Sequence, residues 1–556
     1  MTTIPGLCAA LLSLLWVSSA AAMVPKTSGP TIQLDAGRLT GTTSASGDIN
    51  LFLGIPFAQP PVGDLRFRLP RENAPYFGTI NATVFGPACL QQTSTVDIPQ
   101  DINPIAAQVL ASEGGASVKG GDSEDCLTVN VITPANAAPS SKLPVVFWIY
   151  GGGFEFGGTS LYNGTVIVER SLELHDPVVY VSVNYRVAAV GFPGGSEVRE
   201  AGIGNLGLHD QRLGLRWVQK YISKFGGDPE KVTIWGESAG AISVASQMIT
   251  NGGDTEGLFR AAFMQSGSPL PSGPIEDGQP YFDIFATVAG CAESLGSTAV
   301  FDCLRNVSTE VIRNATNATP GISSFESLSL AWVPREDGVF FKANPQQLVV
   351  QGSVAAVPFV TGNNDDEGTI FSLTNSNLTT DDEVEAYLAK FYIVGNNSTA
   401  AVKRVLELYP DDPAQGSPFD TGSANAITPQ YKRIAAILGD IVFQAPRRFF
   451  QSSRAGLQTQ FAFLNKRGKS NPVVGSFHGS DTTIIYGPSD LTDYLVRFVA
   501  RLDPNGATGI TWPAYTPAAP SLLTLLDGVT PLTLSNDTFR LEGMQAIVEA
   551  ELAHPL

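Results

Sequence analysis

Lys231-Val232-Thr233-Ile234-Trp235-Gly236-Glu237-Ser238-Ala239-Gly240 is the stretch of this chain on which the fold turns. Its first five residues, rich in β-branched and aromatic side chains, read as a buried strand. The residues from Ala239 to Ile249 contain no proline and read as a helix. Between them stands a G-x-S-x-G motif, and strand, sharp turn, helix is the context that makes such a motif a nucleophile elbow. The outer glycines let the backbone turn tightly without a Cβ clash, which would leave the Ser238 hydroxyl exposed at the end of a sheet. The chain has 56 glycines, so the pentapeptide alone says little and its flanks carry the argument.

A serine hydroxyl needs a base, a group to orient the base, and donors for the oxyanion. With only four histidines, the base can be sought by elimination. His554 lies in the C-terminal tail, His175 in a loop before the strand 178–183, and His209 in a helix expected over 207–221. His478 follows the apolar run 472–477 in a Gly/Ser-rich turn late in the chain, where a serine–acid–histidine order puts the base. The acid is expected between Ser238 and His478. A short strand from Val357 runs into the acidic turn Asp365-Asp366-Glu367, and spacing does not choose among the three. Upstream, the apolar strand 143–150 is followed at once by Gly151-Gly152-Gly153-Phe154. A glycine run there leaves N–H groups uncovered, and with the N–H of Ala239 they form a candidate oxyanion hole.

The N-terminus reads as a signal peptide over residues 1–22, with an apolar stretch from Leu7 to Val17 and Ala20-Ala21-Ala22 before the cut. Removal of Cys8 leaves Cys89, Cys126, Cys291 and Cys303, enough for two disulfides in any of three connectivities. Sequons at Asn81, Asn163, Asn306, Asn314, Asn317, Asn377, Asn396, Asn397 and Asn536 agree with a secretory route. A net charge of −18 without a basic stripe argues against nucleic acid and anionic membranes as partners. No later segment is long and apolar enough for a transmembrane anchor. Gly202-Ile203-Gly204-Asn205-Leu206-Gly207 matches G-x-G-x-x-G but does not follow a strand directly, so no dinucleotide site is expected. No metal-ligand spacing occurs either, so the reading calls for no cofactor and no metal. Length alone suggests three domains, but motifs scattered from Gly152 to His478 favour one domain over residues 23–556.

Ser123-Glu124-Asp125-Cys126-Leu127, Gly151 to Gly158, Asn184-Tyr185-Arg186, Lys224 to Gly240, Met264-Gln265-Ser266-Gly267, Asp365 to Thr369 and Gly475 to Gly479 together resemble one family. It is the type-B carboxylesterase and lipase family of α/β-hydrolases, and in particular its secreted fungal lipases of the Candida rugosa and Geotrichum kind. The resemblance covers nearly the whole mature chain. It implies an α/β fold with a large mixed, mostly parallel central sheet flanked by helices and a lid insertion. It implies Glu367 as the acid, Gly152, Gly153 and Ala239 as oxyanion donors, and the pairings Cys89–Cys126 and Cys291–Cys303.

Between Cys89 and Cys126 the sequence predicts a helix, with Asn103 as N-cap, Pro104 at its first position and Gly114 at its stop. Ile102, Ile105, Ala106, Val109 and Leu110 share one face, and Gly115, Gly120 and Gly121 supply hinges. In the lipases resembled, this segment covers the active site. Phe371 is a candidate for the acyl pocket, with a core role as the alternative. The implied activity is hydrolysis of long-chain carboxylic esters through an acyl-enzyme, at a lipid–water interface and outside the cell. Sterol, feruloyl or carotenoid esters are alternatives, and a non-catalytic adhesion protein is a remote one. An unperturbed histidine base predicts loss of activity as pH falls through about 6.5. Oligomeric state is beyond the sequence.

Overall fold

A computed structural model of the 556-residue chain describes residues 29–93, 118, 120–395 and 398–555. The signal peptide expected over 1–22 and the lid helix expected over 103–114 lie outside the described residues.

Strands β1 (Thr31–Leu34) and β2 (Ala36–Thr40) begin the chain, followed by β3 (Thr42–Thr43), β4 (Ile49–Pro56) and β5 (Phe77–Asn81). Next come β6 (Thr128–Pro134), β7 (Leu143–Ile149), β8 (Val179–Val183), β9 (Gly227–Glu237) and β10 (Ala261–Gln265). The last are β11 (Phe359–Asn364), β12 (Gln460–Asn465), β13 (Ser521–Leu525) and β14 (Leu532–Asn536). Strands β1, β2 and β5 make a small sheet; the other eleven form one sheet in the order β14-β13-β12-β11-β10-β9-β7-β8-β6-β4-β3. Its middle, from β8 across to β13, is parallel, and antiparallel pairs close both ends.

The sequence dictates this layering. Val145 to Ile149 in β7, all of β8 and Val232 to Glu237 in β9 are buried without alternation. Parallel strands need cover on both faces, because their crossovers place helices there, and so read as continuous apolar runs. Helix Ala239–Ile249 packs on β7, β9 and β10, Leu206–Tyr221 on β9, Asp490–Arg501 on β7 and Ala445–Arg454 on β11. Nearly all buried apolar side chains, from Leu34 to Ala550, join one core cluster. The expected helices and strands around Ser238 appear with ends shifted by a few residues at most: Leu206–Tyr221, Val179–Val183, Leu143–Ile149, and a β9 begun early at Gly227. The glycine-rich stretch 202–207 joins helices Ser196–Ala201 and Leu206–Tyr221, a helix-to-helix turn without a strand before it.

The disulfides are Cys89–Cys126 and Cys291–Cys303. The first closes the segment expected to hold the lid. Its base is hydrogen-bonded to the loop after β7: the Gln92 N–H donates to the Glu155 carbonyl (2.9 Å) and the Gly157 N–H to Gln91 Oε1 (2.6 Å). Every sequon asparagine among the described residues is exposed.

Candidate active site

The carboxyl ends of parallel strands are where α/β sheets bind ligands, and four such ends meet here. Strand β9 delivers Ser238, β7 the glycine run, β11 Glu367 and β12, through a longer loop, His478. Ser238 has φ 55° and ψ −127°, a conformation that L-residues rarely adopt, and it caps the helix Ala239–Ile249. The turn is tight enough that a Cβ on Gly236 would stand 2.4 Å from the Gly240 carbonyl carbon, and one on Gly240 would stand 2.0 Å from Ile149 O. A Cβ on Gly151 would meet the Ser238 Cβ at 2.8 Å, so the glycine run lies against the serine turn. Among the described residues, the N–H groups of Gly152, Gly153 and Ala239 have no protein acceptor.

The carboxylates of the acidic turn point to different partners in the structure. Glu367 Oε2 lies 2.6 Å from His478 Nδ1. Its Oε1 accepts from the Asn364 N–H (2.7 Å), the Ser266 hydroxyl (2.7 Å) and Asn363 Nδ2 (3.1 Å). That leaves the carboxylate fixed in orientation and facing the imidazole. Asp365 and Asp366 turn the other way, onto Lys469 at 2.6 and 2.8 Å. Asp366 also accepts from the N–H groups of Phe419 and Ser476, tying the two loops together.

His478 is buried between Phe371 and Phe443, its ring centroid 5.1 and 4.4 Å from theirs. Phe443 comes from a π-helical turn, Asp440–Gln444, of the kind often found at functional sites. Burial alone would lower the imidazole pKa, but the nearby carboxylates of Glu367, Glu237 and Asp481 outweigh it and raise the value to about 9. This corrects the expectation of about 6.5, which assumed an ordinary environment. Nε2 makes no hydrogen bond and sits 3.4 Å from Glu237 Oε1. It faces the same cavity as Ser238, of about 320 Å³, without a hydrogen bond between them; such contacts often tighten only when substrate is bound.

Ser238 also borders a second cavity of about 710 Å³. Gly153, Ser238, Ile322 and Phe371 line both, so the serine stands where the two meet. Phe371 is therefore a wall of both cavities and a packing partner of His478.

Four residues escaped the sequence reading. Ser266, at φ 55° after β10, hydrogen-bonds Glu367. Asp481 accepts from Gln265 Nε2 (2.8 Å) and Asn364 Nδ2 (3.0 Å), and burial raises its pKa. Glu237 needed the fold to approach His478. Glu155 is buried behind the glycine run, accepting from the Ile322 N–H (2.8 Å), and burial pushes its pKa to about 8. Glu237, inside the motif, Glu155, within Gly151 to Gly158, and Ser266, in Met264-Gln265-Ser266-Gly267, lay in stretches already singled out, and Asp481 did not. The other histidines are elsewhere: His209 in a helix with its pKa lowered to about 4 by burial, His175 in a turn, His554 at the end of the last helix.

Comparison with known proteins identifies the family. The carboxylesterase family profile matches residues 28–539. Lipase 4 of Diutina rugosa is 40% identical over 542 residues, spanning 94% of this chain and 97% of its own. Lipase 1 of Geotrichum candidum is 40% identical over 90% of this chain and 92% of its own, and secreted lipase 1 of Botryotinia fuckeliana is 40% identical over 89% of each. The crystal structure of Aspergillus niger EstA superposes with a TM-score of 0.79 at 27% identity, covering 95% of this chain and 99% of that one. The chain belongs to the carboxylesterase family, with an α/β-hydrolase fold, and is a carboxylic ester hydrolase.

Proposed function

We propose that hydrolysis proceeds through an acyl-enzyme on Ser238. The observation that carries this reading is the 2.6 Å contact of Glu367 with His478 Nδ1, which directs Nε2 toward the cavity that Ser238 borders. Ser238 Oγ attacks the ester carbonyl while Nε2 takes its proton. The N–H groups of Gly152, Gly153 and Ala239 hold the oxyanion; one such donor is worth about 3–4 kcal/mol elsewhere. The intermediate collapses, Nε2 protonates the leaving alkoxide, and water repeats the sequence on the acyl-enzyme. Glu367 stabilises the imidazolium throughout.

The proton path divides the two cavities. The leaving alcohol must reach Nε2, and His478 lines only the smaller cavity, so the alcohol belongs there. The larger one, walled by Phe154, Ile242, Leu328, Val442 and Phe443, then takes the acyl group. Its size and apolar walls support a long acyl chain. Disulfides and exposed sequons support an extracellular setting, and one continuous sheet and core support a single catalytic domain over residues 23–556.

Ser238→Ala tests the mechanism: kcat/KM on p-nitrophenyl butyrate should fall by more than about 10⁴, with an unchanged circular dichroism spectrum. A fall below tenfold would remove Ser238 from the reaction. Esters of rising chain length, with triolein and a cholesteryl ester beside them, test the substrate; a rate highest on acetate would overturn the long-chain reading.

A further inference from the structure

The turn that carries Gly152 and Gly153 is fastened from behind by one side chain. Residues 152–156 fold back on themselves: the N–H groups of Glu155 and Phe156 both donate to the Gly152 carbonyl, at 3.0 and 3.1 Å. Phe154 stands at φ 60° inside this turn, and Glu155, next to it, is only 1% exposed. Glu155 Oε2 accepts from the Ile322 N–H at 2.8 Å, and the Glu155 carbonyl accepts from the Gln92 N–H at 2.9 Å. Gln92 closes the figure, its Nε2 donating to the Thr319 carbonyl (3.0 Å) and to Thr319 Oγ1 (3.2 Å). The glycine turn, the base of the Cys89–Cys126 loop and the stretch 319–322 are thus tied to one another, and Glu155 makes two of the ties. Ile322, at the end of one of them, walls both cavities.

A carboxyl is an unusual group for this place. Among the described residues, no ionisable side chain acts on it electrostatically; the Ile322 N–H is the one donor it meets. A methyl group on Gly321 would stand 3.2 Å from Glu155 Oε2 and 3.5 Å from Gln92 Nε2, so the two side-chain ends flank that glycine. Two buried acceptors, Glu155 Oε1 and Gln92 Oε1, have no protein donor. A carboxylate would add charge where donors are already short, whereas the neutral acid brings a donor of its own. Burial pushes the Glu155 carboxyl up to about 8, in keeping with this.

We propose that Glu155 is a positioning residue for ester hydrolysis, holding the turn 152–156 so that the Gly152 and Gly153 N–H groups stand where the oxyanion forms. This rests on the reading that Ser238 is the nucleophile and that those N–H groups receive the oxyanion. The neutral carboxyl keeps the turn tied to its neighbours. The charged form demands solvation that the buried site does not offer, and the turn gives way. Displaced donors lose their hold on the transition state and not on the bound ester, so the effect falls on kcat and leaves KM nearly unchanged.

The experiment follows Glu155→Ala, Glu155→Gln and Ser238→Ala beside the wild-type enzyme on p-nitrophenyl butyrate, from about pH 6 to about pH 10, with a circular dichroism spectrum of each. Glu155→Ala should lower kcat by about tenfold or more. Glu155→Gln keeps an acceptor for Ile322 and carries a donor in place of the acid proton, so it should recover most of that loss. The ratio of kcat in Glu155→Gln to that in the wild type, in which the titration of His478 cancels, should rise as pH climbs through about 8. An undiminished kcat in a folded Glu155→Ala overturns the proposal, as does a loss confined to KM or a Glu155→Gln as poor as Glu155→Ala. Should Glu155→Ala fail to fold, the ratio decides alone, and a ratio flat with pH overturns the proposal. Full activity in Ser238→Ala would refute the underlying nucleophile assignment; an inactive Ser238→Ala beside an unimpaired Glu155→Ala would refute the positioning role only.

Discussion

At the residue scale, His478 is set by its surroundings. Burial disfavours its charged form, and Glu367, Glu237 and Asp481 favour it more strongly. A general base must be neutral, so activity should disappear as pH falls through a raised pKa, and the acid limb of a kcat/KM profile should lie above 6.5. Glu237→Gln removes one of the negative charges that favour the imidazolium and should move that limb to lower pH. An unmoved limb would show that Glu237 has no hold on the imidazole. The same neighbourhood explains what was legible. His478 could be found because only four histidines exist and chain order excluded three. Spacing could not choose the acid, because Asp365, Asp366 and Glu367 are adjacent and alike in sequence, and only the family resemblance pointed to Glu367. What separates them is Lys469, about a hundred residues away, which draws both aspartates off. Contacts of that kind leave no local trace, and Ser266, Asp481 and Glu155 were missed for the same reason.

At the scale of elements, the unit of function is β9, its turn and the helix that follows. The strand's apolar run and the two glycines make this unit readable, because each answers a local steric demand. The demand is severe at Gly240, where a methyl group would meet the Ile149 carbonyl at 2.0 Å. Gly240→Ala should therefore cost about 1–3 kcal/mol or more by overpacking, seen as a lower melting temperature. It should also reduce kcat by at least about tenfold, since β7 and β9 must part at the serine. Full activity in that variant would mean that the turn tolerates far more play than the geometry allows. Elements that depend on distant partners were less visible. The π-helical turn Asp440–Gln444, which sets Phe443 against His478, has no sequence signature of its own.

At the scale of the whole molecule, several buried carboxyl groups are held toward their neutral forms, Glu155, Glu551 and Asp481 among them. Glu155 lends itself to measurement. Its folded pKa of about 8 stands above the ordinary 4.5, so the folded state holds the proton more tightly. The stability this contributes is complete below about pH 4.5 and is lost as pH rises through about 8. Relative to Glu155→Gln, the wild-type protein should lose a few kcal/mol of unfolding free energy across that window. A difference that stays flat with pH would place the Glu155 carboxyl in a far more polar setting than its burial indicates. The fold class was legible at this scale because hydrophobic runs and glycine turns repeat along the chain. The strand order was not, since it is decided by long-range pairing.

That strand order has a consequence for biosynthesis. The proposed nucleophile and glycine run come from the middle of the sheet and the first half of the chain, while Glu367 and His478 follow strands added later on one side. A ribosome that has made only the first four hundred residues has supplied the proposed alcohol and its amide cradle but not His478, the imidazole proposed to awaken them. On the proposed mechanism, the nascent polypeptide is thus unable to cleave esters until translation is nearly over.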